Sequence, residues 1–158
     1  MRKSRCPRCA AEDARAFHPG SPADRPLVTT PTAAAEVVTP LLEGLDREHC
    51  LLVSLDGRSR LLAITTVSVG SSEHTFMGPR EVFRDALAAG ASAVFLAHNH
   101  PSGDDSPSPQ DRQITRRLMQ AGRVLGIDVV DHLIVGVGTW TSLAASGELQ
   151  PAHRHQSR

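Results

Sequence analysis

The chain has 158 residues, enough for one domain with a proper core and too few for two of ordinary size. Its 40% hydrophobic and 22% charged residues are globular composition, which argues against global disorder. Lys+Arg and Asp+Glu balance at 17 each, so the chain exerts no net pull on nucleic acid or an anionic membrane, and any such contact must be local.

Residues 1–26 mix Pro, Gly, Ser and charge without periodicity and read as a flexible N-terminal arm. The start is basic, but no apolar stretch follows it, and no run approaches the ~20 apolar residues of a membrane span. A cytoplasmic location is therefore expected. Cys6 and Cys9 form a Cys-Pro-Arg-Cys hook that looks like half of a zinc ribbon. A structural zinc wants four ligands, and only His18 is nearby, with Cys50 distant in a strand-like run. Free thiols in the arm are the simpler account, and an odd count of three cysteines argues against a disulfide framework.

From residue 27 onward the patterns become regular. Thr30-Pro31 offers an N-cap and first-turn proline before Ala33–Val38, and Pro40 is expected to kink or end that helix, with a short helical piece from Leu41 to Leu45. His49–Leu55 and Leu61–Val69 read as strands joined by an Asp56-Gly57 turn. Gly70–Gly78 reads as a loop. Pro79 opens a helix with Val82, Phe83, Ala86 and Leu87 on one face, and Gly90 sits where a C-terminal cap belongs.

A strand over Ser92–Ala97 is followed by a turn rich in His, Pro, Ser and Gly. Next comes a helix from Pro109 to about Leu125, whose Ile114, Leu118, Ala121 and Leu125 form an apolar stripe. Gly126 ends it. Ile127–Val137 reads as a strand, Thr139–Thr141 as a short return, Leu143–Gly147 as a last turn, and residues 150–158 as a disordered tail. The order predicts one α/β (α+β) domain over 27–149, a mixed sheet flanked by helices.

The chemistry concentrates in Ala97–Asp111. Residues two apart on an extended chain point the same way, so His98 and His100 can aim at one point while Asn99 faces away. Ser108-Pro109-Gln110-Asp111 has the form of a helix start, and it returns Asp111 toward the end of the strand. Two imidazoles and a carboxylate are the donors of a catalytic zinc, three protein ligands with a position left for water. Asp111 can equally serve the helix start itself, as one half of a capping box at the positive end of the helix dipole. The two roles are compatible.

That spacing, H-x-H-x7-S-x2-D, is similar to the JAMM (MPN+) metalloprotease signature. His98-Asn99-His100-Pro101-Ser102-Gly103, with Leu125-Gly126-Ile127 and Asp131-His132-Leu133-Ile134-Val135-Gly136, resembles the RadC family of bacterial JAB-domain proteins, over about residues 27–149. The resemblance implies a JAB/MPN curved sheet flanked by helices. It also implies a zinc metallopeptidase or isopeptidase in which a glutamate activates the zinc's water, with a peptide or protein C-terminal tail as substrate.

The family's glutamate lies at the start of the strand before the hairpin turn, where Arg47-Glu48-His49-Cys50-Leu51 stands, so the resemblance makes Glu48 the base. On the residues alone Glu43, Glu73 and Glu81 compete with it. Ser108 would then hydrogen-bond the tetrahedral oxyanion. Asp131-His132 lies outside the metal triad, and a supporting or structural role is expected for it.

The family also carries a DNA-repair label, which the charge balance and the 3% aromatic content do not support independently. A noncatalytic or DNA-associated module, and a metal-dependent nuclease on the same triad, are the rival classes. Arg112, Arg116 and Arg123 on the last long helix suit a solvated face, or a grip on an acidic tail or phosphate.

Other motifs fail. His98-Asn99-His100 is not an HNH nuclease site, whose residues are dispersed over separate elements. Gly136-Val137-Gly138 has Thr141 in place of a third glycine, no Walker or G-x-S-x-G motif exists, and His153 and His155 have no acidic partner after them.

Overall fold

The computed structural model of the chain describes residues 21–70 and 77–149. Cys6, Cys9, His18, Glu73, His153, His155 and most of the Gly70–Gly78 loop lie outside them. Of the segment read as an arm, residues 21–26 hold a 3-10 turn at Pro22–Asp24, and Arg60 Nη1 donates to the carbonyls of Ala23 and Arg25 at 2.9 and 3.0 Å. Among the described residues no helix is long and apolar enough to cross a membrane.

Five strands, β1 (His49–Leu55), β2 (Leu61–Val69), β3 (Ala93–Asn99), β4 (Asp128–Val135) and β5 (Trp140–Ser142), form one sheet in the order β2-β1-β3-β4-β5. Only β3 and β4 run parallel, and the helix α3 (Pro109–Leu125) makes their crossover. The β1–β2 hairpin turns on Asp56, whose Oδ1 accepts from the backbone of Arg58 and Arg60 at 2.8 and 2.9 Å.

Period-two alternation sorts the strand residues onto two faces. Leu51, Val53, Leu55, Phe95, Ala97, Leu133 and Val135 bury against the helix α1 (Pro31–Leu42). Cys50, Leu52, Val94 and Leu96 face the helix α2 (Pro79–Ala88) and α3, through Val82, Phe83 and Leu118. The domain is thus a mixed α/β sandwich, as expected from the element order.

Four local expectations change. Helix α1 runs through Pro40 to Leu42, and the Glu43 N–H bonds Thr39 O at 2.9 Å. Proline forfeits one bond near the helix end, whereas Val38 and Leu42, both fully buried one turn apart, hold that last turn on the sheet. Leu87 is exposed rather than on the packed face of α2.

In α3 the stripe packs through Ile114, Leu118 and Ala121, but the fully inward positions also include Asp111, Thr115 and Gly122, and Leu125 is exposed. Gly122 joins that face because it has no side chain: a Cβ there would lie 2.3 Å from the Ile127 carbonyl, so the helix packs closely at its glycine. Strand β3 extends to Asn99, which places His98 inside the sheet and His100 just beyond it.

Candidate metal centre

His98 is fully buried on the α2/α3 face, directly across from Cys50 in β1 and beside Ile134 in β4. The next strand position on the same face is His132, beside Leu96. His100 follows the strand end, where its N–H bonds Val135 O at 3.0 Å, and the chain turns at Gly103 with φ +85°. That turn lies against Gly136, where a Cβ would meet Gly103 O at 2.5 Å. Gly136 and Val137 thus form the floor of the histidine turn, the Val137 N–H bonding Gly103 O at 3.1 Å.

The chain re-enters helix at Ser108, and both halves of a capping box form. Ser108 Oγ accepts from the Asp111 N–H at 3.1 Å, and Asp111 Oδ2 accepts from the Ser108 N–H at 2.7 Å. Pro109 fits the first helical position, whose N–H would have no helical partner anyway. The cap fixes the carboxylate and aims it at the strand end. Asp111 Oδ1 lies 3.4 Å from His98 Nε2, Oδ2 lies 3.6 Å from His100 Nε2, and the two Nε2 atoms are 3.0 Å apart. One ligand atom from each of the three residues thus lies within 4.8 Å of the others, which could hold a metal ion.

The donor chemistry fits a cation. His100 Nδ1 is 2.7 Å from the Asp104 carbonyl, which can only accept, so Nδ1 carries the hydrogen and Nε2 presents a lone pair to the cluster. Burial lowers the His98 pKa to about 4, against the pull of Asp111, so its ring is neutral, the form that ligates metal. A second proton, at Nε2, would be held by Asp111, and this raises the pKa of His100, with burial opposing and the Asp104 carbonyl and the charge of Glu48 assisting. Burial alone would raise the Asp111 carboxyl. The attraction of the His100 and His98 rings in their protonated forms, with the Ser108 N–H contact, outweighs it and holds the group well below the usual carboxylate range.

Glu48 sits half-buried immediately before β1, its carbonyl accepting from Gly70 N–H at 2.9 Å. Extending the Cys50–His98 register by two residues sets Glu48 across from His100, consistent with its electrostatic effect there. Glu43 follows α1, and Glu81 lies in the first turn of α2.

Asn99, assigned no task from sequence, brackets Glu48. Its Nδ2 donates to Arg47 O at 2.8 Å and its Oδ1 accepts from His49 N–H at 2.7 Å, so one side-chain amide grips the backbone on both sides of the glutamate. An amide offers a donor and an acceptor together, which hints at such pairing, but only the register shows the partner.

Behind the ligands, His132 Nε2 lies 2.8 Å from His98 Nδ1, and Thr115 Oγ1 lies 2.6 Å from His132 Nδ1. Asp131 points elsewhere, accepting from Ser142 Oγ at 2.6 Å and Ala144 N–H at 3.0 Å to fix the turn after β5. Arg112 is engaged by Glu148 and the Pro107 carbonyl, whereas Arg116 and Arg123 are exposed.

The family described as RadC-like JAB domain matches residues 28–148. A UPF0758 protein of Moorella thermoacetica is 47% identical over 119 residues, 75% of this chain and 52% of its own length. One from Shouchella clausii is 43% identical over 123 residues, covering 78% and 54%. One from Desulfitobacterium hafniense is 40% identical over 142 residues, covering 90% and 63%. The chain therefore spans between about half and two thirds of the length of these curated relatives.

Proposed function

Because this chain belongs to the RadC-like JAB domain family, we propose that it is a zinc-dependent amide hydrolase of the JAMM type, a peptidase or isopeptidase acting on a peptide or protein C-terminal tail. The observation that carries the proposal is the convergence of His98, His100 and Asp111, whose ligand atoms all lie within 4.8 Å of one another. These three residues would hold the ion. When bound, zinc supplies Lewis acidity that polarises a carbonyl and brings the pKa of a water molecule to about 7.

The remaining work falls to the chain's own groups. Glu48 accepts the proton of the attacking water on its carboxylate and returns it to the leaving amine nitrogen, one residue acting first as base and then as acid. Asn99 keeps that residue in register with His100. Ser108 Oγ already accepts from the Asp111 N–H, so its own hydrogen is free to donate to a tetrahedral oxyanion. The capping box fixes that hydroxyl as firmly as the carboxylate beside it.

The test is to load the metal-free chain with zinc and incubate it with a peptide library and with isopeptide-linked peptides, detecting new amines by mass spectrometry. Cleavage should fall by about 10²–10⁴-fold in Glu48→Gln while the variant still binds about one zinc. A zinc-loaded parent that cleaves no amide, or a Glu48→Gln variant as active as the parent, would overturn the assignment. Nicking of supercoiled plasmid that requires His98 and His100 would transfer it to phosphodiester chemistry.

A further inference from the structure

The side chains behind the ligand cluster form a directed chain of hydrogen bonds, and its direction is fixed at one end. Thr115 Oγ1 contacts two atoms at 2.6 Å each, the Asp111 carbonyl oxygen and His132 Nδ1. The carbonyl can only accept, so the single hydroxyl hydrogen goes to it, and His132 Nδ1 must supply the hydrogen for the second contact. A neutral His132 then has an unprotonated Nε2. Its partner at 2.8 Å, His98 Nδ1, must carry the hydrogen that joins them. Three steps from a backbone carbonyl, the tautomer of His98 is thereby determined, and its Nε2 presents a lone pair toward His100 and Asp111.

Burial keeps this chain from choosing otherwise. His98, Thr115 and His132 are each fully buried, so no solvent competes for these bonds, and an apolar setting disfavours a doubly protonated, charged ring. The path also closes on itself. The residue whose carbonyl anchors the relay is Asp111, whose carboxylate Oδ1 lies 3.4 Å from the Nε2 that the relay leaves bare. Helix α3 thus supplies one ligand directly and sets the orientation of another from one turn further on.

We propose that His132 and Thr115 are positioning residues that hold His98 in its Nδ1–H tautomer and so prepare its Nε2 as a metal ligand. The proposal rests on the triad being a metal site, and it assigns roles to two buried residues that touch neither metal nor substrate. Two substitutions follow from the bonding. Glutamine at 132 can present an amide oxygen to His98 Nδ1–H and an amide N–H to Thr115, whereas leucine can do neither. Serine at 115 keeps the hydroxyl, and valine removes it at nearly constant volume.

The first measurement uses the unaltered, ¹⁵N-labelled full chain without metal: long-range ¹H–¹⁵N correlation of the histidine rings reads the tautomers directly. His98 and His132 should both be protonated at Nδ1 and bare at Nε2. An Nε2–H form of His98 would overturn the relay whatever the chain does with zinc. The second measurement is the zinc Kd by chelator competition. His132→Leu should weaken binding by about 10–100-fold and Thr115→Val by less, with His132→Gln and Thr115→Ser recovering most of the loss. His132→Leu binding zinc as tightly as the parent would overturn the positioning role. A parent with the expected tautomers that takes up no zinc would instead remove the metal reading beneath it, so the two failures are distinguishable.

Discussion

Replacing Asn99 by alanine tests how the strand end carries the candidate base. The substitution removes two hydrogen bonds of 2.7 and 2.8 Å from a residue only 4% exposed. Each bond contributes about 1 kcal/mol net, and the partly buried His49 N–H and Arg47 carbonyl left behind add up to about 1 kcal/mol of desolvation cost. Asn99→Ala should therefore lose about 2–3 kcal/mol in urea unfolding. Asn99→Asp should lose more at neutral pH, because it keeps the acceptor for His49 but sets a buried carboxylate against the Arg47 carbonyl. Neither change touches the three ligand side chains, so zinc stoichiometry should stay at about one while amide hydrolysis falls, mainly in kcat. Stability within about 0.5 kcal/mol of the parent would refute the bracket. Lost stability with unchanged hydrolysis would show that it serves the fold and not Glu48.

Ser108→Ala should cost about 1 kcal/mol of stability through the lost cap, and hydrolysis about 10²–10³-fold if the hydroxyl meets the oxyanion; a change in stability alone leaves the serine as a cap. Gly122→Ala gains about 1 kcal/mol of helix propensity but sets a Cβ 2.3 Å from Ile127 O and 3.2 Å from Phe83. Overpacking of about 1–3 kcal/mol should win, and a variant that melts higher than the parent would contradict the packing described.

The metal-free chain should also lose stability in acid. His98 titrates at about 4 when folded against an ordinary 6.5, and burial lowers His132 too. Between those values the unfolded chain binds protons that the folded chain refuses, so stability falls as pH drops from about 6.5 toward 4. His100, shifted upward, acts in the opposite sense, its contribution complete below 6.5 and lost as pH rises through its folded value. His49, lowered by its own burial, acts with His98 and His132, so with three depressed rings against one raised, urea unfolding near pH 5 should report a less stable chain than near pH 7. Equal stability would contradict the burial of these rings.

The residues that were legible in sequence are those whose signal is local. Ser108-Pro109-Gln110-Asp111 declares a helix start by its own chemistry, and the period of two in His98-Asn99-His100 follows from the strand alone. Among the described residues hydrophobic periodicity placed the strands and long helices and most of the packed stripe of α3, but it erred at Leu125 and missed Asp111, Thr115 and Gly122, which turn inward for reasons a hydrophobic count ignores: a carboxylate for the cluster, a hydroxyl for His132, and the absence of a side chain against Ile127. Pro40 misled in the opposite way, since a strong local breaker gave way to the burial of Leu42. The Asn99 bracket and the His98–His132–Thr115 relay lay beyond local signals. Their partners are 17 to 52 residues apart, and strand register together with the packing of α3 on the sheet brings them together.

The most direct test of the metal centre is anomalous diffraction at the zinc edge from crystals of the full chain grown with one equivalent of zinc. The account predicts a single strong peak bonded to His98 Nε2, His100 Nε2 and a carboxylate oxygen of Asp111. A peak bound elsewhere, or an ordered triad with no peak while zinc is present in excess, would contradict it.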